Sequence, residues 1–76
     1  MLNKRAGEVL LQVGRQIRAM REGAGMTQAE LARKLRLREE AVFRSEKGLY
    51  NMRMRLLFKI AKIFGRRLKF RVINRR

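Results

Sequence analysis

Apolar residues recur along most of this chain at three- and four-residue spacing, and at two-residue spacing only near its end. The first pattern predicts a helix over residues 6–22. Ala6, Val9, Leu10, Val13, Ile17 and Met20 form one stripe, with Arg5, Glu8, Gln12, Arg15 and Arg18 largely outside it. Gly23-Ala24-Gly25 ends it, since glycine suits a left-handed helix terminus. A second helix is predicted over 28–35. Thr27 can accept from the amide of Glu30 while Glu30 reaches back to the amide of Thr27. A third helix is expected over 38–47, closed by Gly48, and a fourth over 53–64, with Gly65 as its C-cap. In the fourth, Leu56, Leu57, Ile60, Ala61, Ile63 and Phe64 share a side. Phe58 points the opposite way, among Arg55, Lys59 and Lys62, as a dimer contact or an isolated surface residue.

The period then changes. Leu68-Lys69-Phe70-Arg71-Val72 alternates apolar and basic, the pattern of a half-buried strand. A lone strand leaves its backbone groups unpaired, and pairing with the same strand of a second copy removes that cost. Leu68, Phe70 and Val72, with Phe58, are therefore expected at a dimer interface; the alternative is a frayed basic tail. The expected organisation is one domain, 1–76: a tail at 1–5, a helical body at 6–65 and a dimerisation strand at 66–74.

Seventy-six residues form a core near the lower limit for independent stability, which makes help from a second subunit unsurprising. The chain has no cysteine and no histidine, so disulfides, thiolate metal sites and the commonest general base are absent. Neither an enzyme nor a cofactor is expected. The net charge is +15, and after Glu46 no acid remains while eleven lysines and arginines follow. Such a field draws polyanions, nucleic acid first, although an acidic protein partner also satisfies it. No stretch approaches the roughly 20 apolar residues of a spanning helix, and the apolar run near the N-terminus is too short for a signal peptide. A membrane role is not expected; the location expected is the cytoplasm, at the nucleoid.

Residues 26–46, MTQAELARKLRLREEAVFRSE, read as two short helices joined by a tight turn. Helices this short cannot bury their apolar faces alone and must pack on their neighbours. In so basic a chain, such a pair is a means of placing a helix in the major groove of DNA.

Residues 18–65 resemble the lambda-repressor-like helix-turn-helix family of Cro/repressor and Xre-type regulators. The resemblance rests on Ile17-Arg18-Ala19-Met20-Arg21, Thr27-Gln28-Ala29-Glu30-Leu31-Ala32, Val42, Glu46-Lys47-Gly48 and Leu56-Leu57-Phe58-Lys59-Ile60-Ala61-Lys62. The added strand resembles the HipB-like antitoxins. The resemblance implies a mainly α, four-helix DNA-binding domain with a C-terminal β-strand that pairs across a dimer. It further implies an inverted-repeat operator in double-stranded DNA, a toxin protein (kinase-like or nuclease) as partner, and repression of a shared promoter. It places Gln28 by a phosphate and Thr27 among the DNA contacts. Arg38, Glu39, Glu40, Phe43 and Arg44 fall on the groove face or its rim, Lys47 and Arg53 join the DNA contacts, and Arg21 and Glu46 form a structural ion pair.

Six residues depart from the family pattern. Arg36 occupies a turn position usually held by Gly, which implies a left-handed arginine. Arg38 replaces the frequent Ser or Thr cap. Glu39, Glu40 and Phe43 stand where uncharged or small polar groups commonly meet bases, and Ser45 where a large apolar side chain normally fills the core. A protein-interaction module with weakened DNA reading, or a phage-type repressor, are the competing readings.

Overall fold

A computed structural model describes residues 4–65, which form four helices: α1 (Lys4–Gly23), α2 (Gln28–Leu35), α3 (Glu39–Glu46) and α4 (Met54–Phe64). No strand occurs among the described residues. Leu68, Phe70 and Val72 lie outside them. The helix starts and stops differ from expectation by one or two residues. α1 begins at Lys4 rather than at 6, and Arg38, Lys47 and Arg53 prove to be cap residues rather than helical ones.

Each helix is closed by a residue in the left-handed region. Gly25, Gly48 and Gly65 serve α1, α3 and α4, with φ of 66°, 72° and 62°. α2 ends on Arg36 at φ 57°, ψ 42°, the conformation implied for that turn. Its amide donates to the Arg33 carbonyl at 3.2 Å, and the Leu37 amide donates to that of Ala32 at 2.9 Å. This pair of bonds satisfies two orphan carbonyls at the helix end. An L-side chain in that conformation costs about 1–2 kcal/mol relative to glycine, so Arg36 occupies the turn at some cost in stability.

The core is built where the apolar stripes converge. Val13, Ile17 and Met20 of α1 meet Leu31, Ala32 and Leu35 of α2, Val42 of α3 and Ile60 of α4. Met52, in the loop before α4, joins them at 8 % exposure. Leu10, Met26, Leu37, Tyr50, Leu56, Leu57, Ile63 and Phe64 pack around this centre, half-buried. Each fully buried aliphatic side chain contributes roughly 1.5–3 kcal/mol. α3 packs on both α1 and α2, and α4 closes against α2.

α1 approaches α3 closely because Gly14 has no side chain. A Cβ there would fall 2.7 Å from the Glu46 carbonyl oxygen, and closer still to that of Ser45. Gly48 meets α1 in the same way, 2.7 Å from the Leu11 backbone. Ser45 is buried at 3 % exposure, with its hydroxyl donating to the Ala41 carbonyl at 2.7 Å. The small residue at 45 thus sits where α1 and α3 touch backbone to backbone, which explains its departure from a large apolar one.

Candidate nucleic-acid interface

The helix pair is fixed at its start by the expected capping box. The Glu30 amide donates to Thr27 Oγ1 at 3.0 Å, and the Thr27 amide donates to Glu30 Oε1 at 2.9 Å. The bonds from Thr27 hold the Glu30 carboxyl below its usual range.

Behind the pair lies the ion pair of Arg21 and Glu46. Arg21 Nε donates to Glu46 Oε2 at 2.6 Å and Nη2 to Oε1 at 3.1 Å, while Nη1 donates to the Met26 carbonyl at 2.9 Å. The two side chains are 12 % and 4 % exposed. The bond to Glu46 raises the Arg21 pKa against the desolvation that would lower it. Gln28 donates its Nε2 to the same carboxylate at 3.1 Å, so its amide is engaged inside the fold at the start of α2. The Glu46 carboxylate with its Arg21 partner therefore ties together α1, the turn before α2, α2 and α3.

The outward face of α3 carries Glu39, Glu40, Phe43 and Arg44, all exposed, with Lys47 just past its end. Arg38 begins α3 without a side-chain cap bond, as its residue type implies. The first turn is supported instead by the carboxylates of Glu39 and Glu40, placed favourably for the helix dipole. Arg44 Nε lies 3.4 Å from Glu40 Oε1, with 57 % and 70 % of the two side chains exposed. Lys47 Nζ stands 5.1 Å from the centre of the Phe43 ring, in a cation–π contact. Arg36, Arg38, Glu40, Arg44 and Tyr50 line one groove of about 370 Å³ beside the turn. Arg53 is exposed at the N-cap of α4 and does not line that groove.

Charge is divided unevenly. α3 itself carries three carboxylates against one guanidinium. The cations flank it: Arg33, Lys34, Arg36 and Arg38 on one side in sequence, Lys47, Arg53 and Arg55 on the other, all exposed. Long-range attraction for a polyanion thus comes from around α3, while α3 presents an aromatic ring and a compensated ion pair.

Two members of this surface, Arg36 and Tyr50, are not among the DNA contacts expected from sequence. Arg36, besides its left-handed backbone, supplies a cation to the groove, and Tyr50 supplies an aromatic ring from the loop after α3. Nothing in the local sequence marks Tyr50, whose position depends on the turn that Gly48 creates. Phe58 is 66 % exposed on α4, on the side its helical angle indicates, and Met54, four residues earlier, is 60 % exposed. Lys59 turns back to donate to the Leu35 carbonyl at 3.2 Å, a satisfied C-terminal group of α2 that sequence gave no means of foreseeing.

This arrangement of a capped helix, a tight turn and an outward-facing second helix is that of a helix-turn-helix protein. The helix-turn-helix family model matches residues 17–70, and the chain belongs to that family, in its Xre/lambda-repressor-like branch. It is similar to two uncharacterized HTH-type transcriptional regulators of Archaeoglobus fulgidus. They are 47 % and 38 % identical over 53 residues, covering 70 % of this chain and 76 % and 75 % of theirs. A further uncharacterized HTH-type transcriptional regulator, from Methanocaldococcus jannaschii, is 45 % identical over 40 residues, 53 % of this chain and 61 % of its own. Among the described residues no helix is long and apolar enough to cross a membrane.

Proposed function

We propose that the protein is a sequence-specific DNA-binding transcriptional regulator that inserts α3 into the major groove. The observation that carries this reading is the exposed face of α3, held from behind by the core and flanked by exposed cations. The relatives described as HTH-type transcriptional regulators support the same class. In this reading Arg38, Glu39, Glu40, Phe43 and Arg44 meet the groove or its rim. Gln28, at the start of α2, stands by a phosphate through its backbone amide, and Thr27, Lys47 and Arg53 contact the DNA beside it.

The regulator acts as a homodimer at the nucleoid. Phe58 lies at the dimer contact, and the segment 66–74 pairs with its counterpart through Leu68, Phe70 and Val72. Two copies of α3 then enter successive major grooves, about 34 Å apart, on an inverted repeat. The apolar–basic alternation of 68–72 and its likeness to HipB-like antitoxins support a finer role. The protein binds a toxin, kinase-like or nuclease, and represses their common operon. The carboxylates of α3 favour a second reading, a toxin-neutralising interaction module with little sequence preference.

Mobility-shift titration of the upstream DNA at physiological salt, against unrelated DNA, separates the two. The regulator prefers its own site, and Arg44→Ala weakens that site more than random DNA. Equal binding of both DNAs by the unaltered protein sinks the regulator reading. Purification from the native host tests the toxin, and sedimentation of Phe70→Glu tests the dimer: an unchanged dimer removes the strand pairing.

A further inference from the structure

Glu40 is a carboxylate on the face proposed to enter DNA, where phosphates repel it. Two observations remove most of that objection. The groove it lines also receives Arg36, Arg38 and Arg44, and the Arg44 guanidinium lies one turn on, with Nε 3.4 Å from Glu40 Oε1. The charge is compensated locally, yet 70 % of the side chain remains exposed. Arg44 engages Glu40 through Nε, which leaves the Nη edge of the fork for another acceptor.

The chemistry of base edges then narrows what this pair can recognise. An ionised carboxylate only accepts hydrogen bonds. In the major groove the amino donors are cytosine N4 and adenine N6, and adenine places its N7 acceptor beside its amino group, where it repels a carboxylate. Thymine and guanine present acceptors alone at that position. Cytosine is the base that offers a donor without an opposing acceptor. The neighbouring Nη edge of Arg44 matches the O6 and N7 acceptors of guanine.

We propose that Glu40, braced by Arg44, is the specificity-determining residue for one cytosine of the operator, with Arg44 donating to a guanine beside it. The proposal rests on the DNA-regulator reading and adds to it a base and the residue that selects it. Glu39, one position back, does not line the groove with the arginines and is not assigned this role.

The test begins with in vitro selection of binding sites from random duplex DNA by the full-length protein, then by Glu40→Gln and Glu40→Ala. Single-base replacements in the selected site follow, measured by mobility shift. Replacing the assigned cytosine with thymine is expected to weaken the unaltered protein at least about five-fold. Glu40→Gln, whose amide can meet adenine, should lose that discrimination at this position alone, and the other positions should keep theirs. Glu40→Ala should show the same single-position loss with only a small drop in melting temperature, since the exposed side chain supports the fold only through the helix dipole and its exposed pair with Arg44. If both variants bind every sequence more tightly by one common factor, Glu40 is only repulsive and the assignment is overturned. A selective unaltered protein whose preferences survive both substitutions overturns the assignment while leaving the regulator intact. A protein that selects no site overturns the regulator reading, and this assignment with it.

Discussion

α2 and α3 have the same length, eight residues each, and opposite sources of stability. α2 is secured by its own ends, through the Thr27–Glu30 capping box, the left-handed Arg36 and the Lys59 ammonium on the Leu35 carbonyl. α3 starts without a side-chain cap and is held from behind, by the Glu46–Arg21 pair and by the close approach of Gly14. An isolated helix this short is marginal in water, so α3 exists because the core places it. The comparison teaches that its outer face carries little structural duty beyond the favourable charge of its first turn. Glu39, Glu40 and Phe43 depart from the family pattern at no cost to the packing because the contacts that position α3 run through Val42, Ser45 and Glu46.

The contrast breaks most sharply at Glu46. Glu46→Ala leaves the Arg21 guanidinium nearly buried without its carboxylate, and Gln28 loses the same acceptor. The expected loss is about 3–5 kcal/mol, a large part of a domain's total of roughly 5–15. A urea titration followed by circular dichroism should show a collapsed midpoint. The double variant Arg21→Met with Glu46→Leu should recover much of it. A cost below about 1 kcal/mol for Glu46→Ala would mean that α3 is not held by this pair.

The next effect separates two glycines of one helix. Gly14→Ala must push α1 away from the Glu46 backbone and should cost about 1–3 kcal/mol. Gly7→Ala, in the same helix with open space around it, should instead stabilise by up to about 1 kcal/mol. Opposite signs in thermal melts support backbone contact between α1 and α3; two gains would refute it. At the end of α2, Arg36→Gly relieves the left-handed arginine and should add about 1 kcal/mol, raising Tm by roughly 4–8 °C.

The smallest effect concerns the local cap. Glu30 has its carboxyl lowered from its ordinary value of 4.5 by the bonds from Thr27. A lowered folded value means that its contribution is present above about 4.5 and is lost as pH falls through the folded value. Glu30→Gln should therefore melt below the unaltered protein at neutral pH. The gap should close on acidification below 4.5. A gap independent of pH would show that the carboxylate charge is not what matters.

What the sequence made legible follows the same division. The capping box, the left-handed turn at Arg36, the missing cap at Arg38 and the outward Phe58 are local or periodic features, readable from residue type and spacing. The Arg21–Glu46 pair came from family resemblance, since 25 positions separate its members. Met52 entering the core from a loop, the Gln28 amide on Glu46 and Lys59 reaching Leu35 depend on how helices cross, which no local pattern encodes. Gly14 did leave a signal: a glycine inside a helical stripe costs about 1 kcal/mol against alanine and calls for a packing reason. For the site, residue type and position along α3 were legible. The pairing of Glu40 with Arg44 and the groove shared with Arg36 and Tyr50 were not.

The bare backbone of Gly14 also decides which end of α3 is held most closely. α1 bears on the last turn of α3, at Ser45 and Glu46, and Gly48 meets Leu11 just beyond it. The opposite end, from Arg38 to Glu40, is exposed and lacks a side-chain cap. α3 is thus approached most closely at its C-terminal end, where its backbone bears directly on α1, while Val42 anchors its middle in the core. On the proposed DNA, Arg38 and Glu40 can therefore be exchanged without disturbing the backbone contact that sets where α3 stands.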